Sequence, residues 1–399
     1  MAVQRYRKQP GQTKHPRRRQ DARGVVWDVV TSVLRAADRE HPADAVLRAE
    51  LSQCAGLVQA QKSQISRMVF TYYRWKGWLD NERGVESKLQ RALELDERFR
   101  KNPFSLPVEQ LRSKVVPAWV ASEMEVRDEW LRVIQRELKL WLRAKTGQGR
   151  LLAKKLLGRP GSAPLQDAVL FDGSRDLFQT DEFKSGEFEI QDISSQMVGW
   201  ACSPKAGETW WDACAGEGGK TLHLSDLMEN KGLIWASDRA EWRLEKLKQR
   251  AARAGVFNYR AAIWEGGADL PTGTKFDGVL VDAPCSGLGT WQRNPHARWT
   301  TTPEDVRELA QVQGRLLDNA SSLVKPGGKL IYAVCTLTRA ETAGVVEAFN
   351  RAHSEFEPMA FSLPMEKGNS RLVPAVTKMI WPQDFGGNGM FISAWRRRC

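Results

Sequence analysis

The chain has 399 residues, of which 42% are apolar and 27% charged, a composition typical of a folded, water-soluble protein. No run of about 18 apolar residues is present, and the basic N-terminus lacks the apolar segment of a secretory signal, so neither a membrane span nor secretion is expected. The six cysteines form no CxxC pair and no cluster with histidine at zinc spacing, which predicts free thiols, no metal centre and a cytoplasmic location. The net charge of +12 favours a polyanionic partner such as nucleic acid.

The first 120 residues predict a tail followed by helices. Residues 1–20 are polar, basic and interrupted by prolines, which is typical of a disordered tail, and either solvation or RNA contact would explain the charge. From residue 21 to 120, amphipathic runs such as VVWDVVTSVL and ISRMVFTYYRWKGWL predict a helical bundle. Pro103, Pro107 and Pro117 indicate a hinge.

Residues 121–190 are predicted to be a linker and a small α+β subdomain. The run EMEVRDEWLRVIQREL predicts a helix, and KLWLRAK, Lys139–Lys145, predicts a strand. From residue 191 to 399, strand candidates alternate with helical runs: ETWWDAC, GLIWASD, NYRAAIW, KFDGVLVDAP and GGKLIYAVC supply the strands. This alternation predicts an α/β domain, Rossmann-like, with a mostly parallel sheet and helices on both faces. In such a sheet the ligand lies beyond the carboxyl ends of the strands.

The first of these strands ends at Asp212 and runs into a glycine turn, CAGEGGK, before a helix. The sequence GGKT resembles the end of a phosphate-binding P-loop, but that motif needs a glycine where Cys214 stands. The next strand ends in Asp238, 19 residues after Gly219, the spacing at which a carboxylate binds ribose hydroxyls. A glycine turn with this acid and no complete phosphate motif favours S-adenosylmethionine. Asp238 could equally be the N-cap of the following helix.

Two thiols follow the last two strands. Asp282 ends the fourth strand and Cys285 lies in the turn after it, while Cys335 ends the fifth. Two thiols and a carboxylate beside a methyl donor suit methylation of cytosine at carbon 5. A thiolate that adds to carbon 6 makes carbon 5 nucleophilic enough to attack the methyl group.

These motifs resemble those of the RNA cytosine-C5 methyltransferases, in particular the branch of the bacterial small-subunit ribosomal RNA methyltransferase B, or Sun protein. DACAGEGGKT is similar to the family motif D-x-C-A-x-P-G-G-K-T, and DAPCSGLGTWQRNP is similar to its DAPCSG-T-G-x-x-x-R-x-P motif. GGKLIYAVCTLTRAET and GEFEIQDISSQM resemble two further family motifs, in the family's order. The helical region at 21–120 is similar, more weakly, to the NusB-like RNA-binding domain of this branch.

The resemblance implies roles for individual residues. Cys335 is expected to be the nucleophile, Cys285 to assist product release, Asp282 to hold the base edge, and Lys220 to lie near the cytosine. The residues expected to bind the S-adenosylmethionine cofactor are Asp212, Cys214, Ala215, Gly216, Glu217, Gly218, Gly219, Lys220, Asp238, Arg243 and Asp282. The implied partner is RNA, most directly 16S ribosomal RNA, with a monomeric enzyme that uses no metal and no membrane.

Three departures from the family pattern accompany the match. Glu217 replaces the family's proline, Ala333-Val334 replaces Ser-Thr before the nucleophile, and Glu341-Thr342 replaces Glu-Asn. No aspartate between residues 258 and 269 is assigned to the cofactor. Two other functions stay open: a transfer-RNA cytosine-C5 methyltransferase, and a non-catalytic RNA-binding or ribosome assembly factor.

Overall fold

The computed structural model describes residues 22–54, 56–162, 164–364 and 372–399. The basic tail predicted for residues 1–20 lies outside the described residues. No helix in these ranges combines the length and the apolar character that crossing a bilayer requires.

The N-terminal part is helical, as its amphipathic runs predict. Its helices are α1 (Ala22–Ala36), α2 (Ala43–Gln53), α3 (Gln59–Trp75), α4 (Val85–Lys101), α5 (Val108–Lys114), α6 (Val120–Glu123) and α7 (Asp128–Val133). Val30 and Val33 of α1 are fully buried against Ile65 and Val69 of α3, at the spacing of one helix face. The apolar stripes of these two helices thus form the first of the protein's cores.

The segment of residues 103–117, whose prolines predict a hinge, contains helix α5, and the hinge itself stays a prediction. Pro107 directly precedes α5, where a fixed φ favours helix initiation and no backbone N–H is needed. Leu111 and Val115 are fully buried in a second helical core, which also takes in Trp130 and Leu131 of α7. The helical part therefore continues past the predicted boundary at residue 120, because α7 packs with the helices before it.

A small antiparallel sheet follows, and the predicted strand in KLWLRAK is confirmed as its strand β1. Its elements are β1 (Leu140–Ala144), α8 (Gly149–Leu156), β2 (Arg159–Pro160), β3 (Ala168–Phe171), α9 (Asp181–Lys184) and β4 (Phe188–Ile190). The strand order is β2-β3-β1-β4. Burial of Leu142, Val169 and Phe188 gives this subdomain its own core.

The C-terminal part is built on one large sheet. Its helices are α10 (Ile193–Cys202), α11 (Gly219–Leu227), α12 (Glu241–Ala254), α13 (Ala297–Thr300), α14 (Pro303–Ser321), α15 (Ala343–Ala352) and α16 (Pro382–Phe385). Its strands are β5 (Thr209–Asp212), β6 (Leu233–Asp238), β7 (Tyr259–Ile263), β8 (Phe276–Asp282), β9 (Val324–Val334), β10 (Phe356–Pro358), β13 (Thr377–Ile380) and β14 (Met390–Arg397). Strands β11 (Phe361–Pro364) and β12 (Leu372–Ala375) form a separate hairpin.

The order of the large sheet is β10-β14-β9-β8-β5-β6-β7, with β13 also paired to β14. Strands β9, β8, β5, β6 and β7 are parallel, and β14 runs antiparallel to β9. Along β8, Leu280 enters one core with α10 and α11, whereas Val279 and Val281 enter the other core with α14 and α15. Because alternate side chains of a strand point to opposite faces, helices cover both faces of the sheet. The predicted α/β fold class is confirmed.

The segment after β8 joins the helical part to the sheet. Leu288 and Trp291 are fully buried in the core shared with α4 to α7. Arg298 is fully buried and donates hydrogen bonds to Gln135 Oε1 at 2.7 Å and to the carbonyl oxygens of Ile134 at 2.9 Å and Val115 at 3.1 Å. Burial lowers the pKa of Arg298 to about 9, and the neighbouring Arg74 lowers it further.

We expect Arg298→Met to lower the free energy of unfolding by about 2–4 kcal/mol, because several buried acceptors lose a charged donor. Urea denaturation measures this change. The matched control is Arg39→Met, since Arg39 joins the same two parts through Asp305 at 2.6 Å but is exposed. An exposed ion pair contributes about 0–1 kcal/mol, so equal losses in the two variants would contradict the role given to Arg298.

Candidate active site

The carboxyl ends of four neighbouring strands meet at one edge of the sheet. Asp212, Asp238 and Asp282 are the last residues of β5, β6 and β8, and Cys335 directly follows β9. Asp282 is paired with Ala333 across β8 and β9, so the turns carrying Cys285 and Cys335 lie side by side. The two thiols meet at this edge, as predicted, but only Cys335 lines the cavity described below.

The two thiols are in direct contact. Cys285 Sγ lies 3.2 Å from Cys335 Sγ. The hydrogen bond from Cys285 lowers the pKa of the Cys335 thiol, while the same contact and burial raise the pKa of Cys285 well above its usual value. This pairing favours Cys335 as the thiolate and Cys285 as the proton-bearing partner.

An ion pair adjoins Cys335. Lys220, in the first turn of α11, is 9% exposed, and its Nζ donates to Asp282 Oδ2 at 2.6 Å. Burial alone would lower the pKa of Lys220, but the Asp282 carboxylate outweighs that effect and the pKa is raised. The lysine therefore stays a cation and a hydrogen-bond donor at neutral pH.

A cavity of about 840 Å³ opens onto these groups. Lys220, Asp282 and Cys335 line it, together with Asp192 and Arg293. Cys285 packs against the core on the other face of the sheet from Cys335. The arrangement exposes one sulfur, that of Cys335, to a ligand in the cavity.

The glycine turn after β5 is shaped for a ligand that approaches the backbone. Gly216 and Gly218 have positive φ values of 56° and 85°, which glycine adopts without strain. No atom lies within 4 Å of where a Cβ on Gly216 would stand, so there is open space beside the turn. At Gly218 a Cβ would meet Leu247 at 2.6 Å, so this glycine is also required for packing against α12. Ala215 is buried, and Gly219 begins α11.

Asp238 links its strand to this turn. Its Oδ2 accepts a hydrogen bond from Gly216 N at 3.0 Å, and its Oδ1 accepts one from Ala240 N at 2.9 Å. The N-cap position of α12 is Ala240, so Asp238 is not the cap residue that the alternative interpretation required. Arg243 Nη1 lies 3.9 Å from Asp238 Oδ2, which places this predicted cofactor residue at the edge of the same site.

Asp212 lies beneath the surface of the site. It is fully buried, and its Oδ2 accepts a hydrogen bond from Thr221 Oγ1 of α11 at 2.7 Å. Its predicted contact with the cofactor stays a prediction. Its Oδ1 has no hydrogen-bond partner among the described residues, and burial raises the pKa of Asp212 to about 7.

The two remaining residues of the turn differ in environment. Cys214 is partly exposed as a residue, but its thiol is buried. This burial raises the pKa of the thiol well above the usual value, so Cys214 is not a reactive thiolate. Glu217 is exposed at the rim of the cavity, where its carbonyl oxygen accepts a hydrogen bond from Arg250 Nη1 at 3.0 Å. The family's proline position therefore carries a carboxylate at the cavity entrance.

Glu341 is the site residue whose role the sequence did not indicate. It is fully buried, and its carboxylate accepts hydrogen bonds from Ser286 N at 2.8 Å, Thr336 Oγ1 at 3.1 Å and Thr338 Oγ1 at 2.7 Å, and also from Ser286 Oγ. Ser286 follows Cys285 in the chain and Thr336 follows Cys335. One carboxylate thus fixes the residues next to both thiols. The sequence contained the Glu341-Thr342 pair but no signal of this geometry.

Within the described ranges, no group of three or more His, Cys, Asp or Glu side chains is arranged to hold a metal ion.

The raised pKa of Asp212 predicts that the free energy of unfolding depends on pH. A carboxyl whose pKa is raised from 3.8 to about 7 on folding contributes stability that is complete below pH 4 and is lost as the pH rises through 7. Compared with Asp212→Asn, the wild type should therefore lose several kcal/mol of unfolding free energy between these pH values. Denaturation curves at several pH values measure it, with the exposed Asp269→Asn as control. Parallel pH profiles for wild type and Asp212→Asn would contradict the assignment.

Replacing Glu341 with Gln removes one acceptor oxygen and places an NH₂ group against hydroxyl donors. We expect Glu341→Gln to lower the free energy of unfolding by about 1–3 kcal/mol and to slow the oxidative joining of Cys285 to Cys335 by diamide, because the two turns separate. Mass spectrometry of the cross-linked peptides measures the second effect. Glu347→Gln, an exposed change on α15, serves as the control. Joining at the control's rate would show that Glu341 does not set the distance between the thiols.

Comparison with known proteins shows which family the part of the chain that contains the site resembles. Residues 200–396 match the family model described as 16S rRNA methyltransferase RsmB/F. The chain is 37% identical over 240 residues to the probable ribosomal RNA small subunit methyltransferase B of Bacillus subtilis, an alignment that covers 58% of this chain and 53% of that protein. The chain spans about half the length of the curated relatives it matches first.

Two solved structures share the fold. The crystal structure of PH0851 superposes with a TM-score of 0.74 at 20% identity, covering 93% of this chain and 98% of that one. NSun6 from Pyrococcus horikoshii, solved with SFG, superposes with a TM-score of 0.59 at 20% identity, covering 68% of this chain and 94% of that one. The matched region contains the glycine turn, both thiols, the Lys220–Asp282 ion pair and Glu341. Through residues 200–396 the chain is similar to the RsmB/F family of 16S rRNA methyltransferases.

Proposed function

We propose that this protein is an S-adenosylmethionine-dependent RNA cytosine-C5 methyltransferase that acts on 16S ribosomal RNA through a covalent bond between Cys335 and carbon 6 of the target cytosine. The observation that carries the proposal is the contact between two thiols, 3.2 Å apart, beside the Lys220–Asp282 ion pair at a cavity of about 840 Å³. Methyl transfer to most nitrogen or oxygen atoms needs no thiol, whereas carbon 5 of a pyrimidine needs a nucleophile at carbon 6.

The residues at the ends of β5 and β6 fit S-adenosylmethionine. The open space beside Gly216 lets an adenosine ligand reach the backbone, and the Asp238 carboxylate lies where ribose hydroxyls are bound in this kind of sheet. Cys214, Ala215, Gly218, Gly219 and Arg243 would complete that wall. When bound, S-adenosylmethionine supplies an electrophilic methyl group.

The residues at the ends of β8 and β9 would act on the base. Cys335, whose thiol pKa is lowered, attacks carbon 6 and forms the sulfur–carbon bond. The Lys220 ammonium and the Asp282 carboxylate hold the polar edge of the pyrimidine while electron density moves to carbon 5. Carbon 5 then takes the methyl group.

Cys285 is placed to assist release of the product. After methylation, carbon 5 must lose its proton, and the bond between carbon 6 and the Cys335 sulfur must break to restore the ring double bond. Cys285 Sγ contacts the same sulfur that has to leave. Once its own proton has passed to solvent, Cys285 acts as the base that takes the carbon 5 proton, the electron pair of that C–H bond restores the ring double bond, and the Cys335 sulfur leaves as a thiolate.

Ribosomal RNA is the favoured substrate because the family model and the Bacillus subtilis relative are both described as ribosomal RNA methyltransferases. The net charge of +12 agrees with an RNA partner. The NusB-like character of the helical part, its binding to RNA, the monomeric state and the cytoplasmic location stay predictions. A transfer-RNA substrate is the alternative within the same chemistry, and the buried, matched thiol pair disfavours a non-catalytic assembly factor.

The two thiols give the decisive test. Cys335→Ala should be inactive and form no covalent complex with RNA, because it cannot make the bond to carbon 6. Cys285→Ala should still attack and transfer methyl, and should then accumulate as a protein–RNA complex that survives denaturing gel electrophoresis. The measurement uses ribosomal RNA from cells lacking the protein, with S-adenosylmethionine added.

Cys202→Ala is the control. This buried thiol does not line the cavity, so the substitution should leave both activity and the covalent complex unchanged. Trapping by Cys335→Ala but not by Cys285→Ala would reverse the two roles. Full activity of both variants would overturn the covalent mechanism.

A further inference from the structure

A second cavity of about 520 Å³ adjoins the catalytic one, and Arg293 lines both. It lies along helix α3 of the helical part. We call this cavity the α3 groove, and the residues that line it include Lys62, Ser63, Ser66, Arg67, Phe70 and Arg293. A ligand that extends beyond the catalytic cavity can therefore continue past Arg293 into the α3 groove without leaving the surface.

Arg293, Lys62 and Arg67 supply positive charge along this path, and Arg293 acts electrostatically on the buried carboxylate of Asp192 in the catalytic cavity. Arg293 is exposed, and no ion pair or side-chain hydrogen bond joins it to another described residue, nor does any ion pair involve Lys62. Arg67 Nε lies 3.2 Å from Glu137, but both side chains are half exposed, so water screens the pair.

The opposite wall of the catalytic cavity differs in charge. There the buried carboxylate of Glu189 lies 2.8 Å from the guanidinium of Arg250 and also pairs with Arg253. Lys246, on the same wall, forms no ion pair with another described residue. The charge available to phosphate groups is thus greater on the side of Arg293.

The α3 groove also offers groups that suit unpaired nucleotides. The ring of Phe70 is partly buried in the groove wall, where a base can stack on its free face. Gln292, which also lines the groove, is anchored by its Nε2, which donates to the carbonyl oxygens of Arg136 and Glu137.

We propose that the α3 groove binds the single-stranded RNA segment next to the target nucleotide, with Arg293 contacting the phosphate between that nucleotide and its neighbour. The inference rests on the proposed function, since the target base must leave any helix to reach Cys335. Lys62 contacts a phosphate further along, and Phe70 stacks on a base. The helical part then selects the RNA by its flanking sequence while the catalytic cavity holds the cytosine.

The test compares Lys62→Ala with Lys88→Ala in the full-length protein. Lys88 is a lysine of similar burial on α4 that lines neither cavity. The probe is a fluorescent 20-nucleotide single-stranded RNA with one central cytosine, with binding followed by anisotropy at several salt concentrations. Lys62→Ala should weaken binding severalfold and reduce the salt slope by about one, whereas Lys88→Ala should change neither.

Cross-linking locates the RNA independently of any variant. The same RNA carrying 4-thiouridine beside the cytosine should cross-link to a peptide from residues 59–75 after irradiation. Equal affinity and slope for Lys62→Ala and Lys88→Ala, or cross-links confined to other segments, would overturn the proposal.

The two proposals fail separately. If the wild type methylates ribosomal RNA but the two lysine variants bind the probe alike, the groove assignment is wrong and the enzyme assignment stands. If Lys62→Ala alone weakens RNA binding but the wild type transfers no methyl group to RNA, the α3 groove stands as an RNA site and the catalytic proposal is wrong.

Discussion

The carboxylate of Glu341 holds together the two turns that carry Cys285 and Cys335. Parallel strands bring Asp282 and Cys335 to the same edge of the sheet, but strand pairing alone does not place two sulfur atoms in contact. The residues after both cysteines donate hydrogen bonds to Glu341, and Gln313 Nε2 bonds to its carboxylate at 3.0 Å and to the Pro284 carbonyl at 2.9 Å. A buried charge with this many donors is costly to disturb, so the distance between the thiols is set before any substrate binds.

The helical part of the protein packs against the same turn and so also fixes the position of Cys285. The turn that carries Cys285 continues into Leu288, Trp291 and Arg298, all fully buried against the helices that precede the sheet. The proposed RNA site at α3 and the turn that carries Cys285 are therefore connected through packed side chains. The proposed RNA path follows from this arrangement, because Arg293 projects from the same segment into both cavities.

The strands and the order of the motifs could be predicted because their signals are local. Apolar runs such as VLVD, followed by a turn, predict a buried parallel strand, and the glycines after Asp212 predict a turn that a ligand can approach. The helix after Pro107 could not be predicted from the proline alone, since a proline before a helix and a proline in a hinge have the same sequence signature. The burial of Asp212 could not be predicted, because a position at a strand end does not show whether the side chain points inward.

Contacts between residues far apart in the chain could not be predicted, because no local sequence pattern indicates them. Arg298 meets residues 163 and 164 positions earlier in the chain, and Ser286 meets Glu341 across 55 positions. Neither partner can be chosen from spacing, because both depend on how helices and strands of distant sequence pack together. The candidate reacting groups could therefore be proposed from the sequence, whereas the contacts that support them required the structure.

The most direct measurement of the central claim is mass spectrometry of nucleosides from ribosomal RNA treated with the protein and S-adenosylmethionine that carries a deuterated methyl group. The RNA should come from cells that lack the protein, so that the target position is unmodified. The account predicts 5-methylcytidine carrying the deuterated methyl at one position, with no label when Cys335→Ala replaces the wild type. Label on another nucleoside, or on cytidine at a position other than carbon 5, would contradict it.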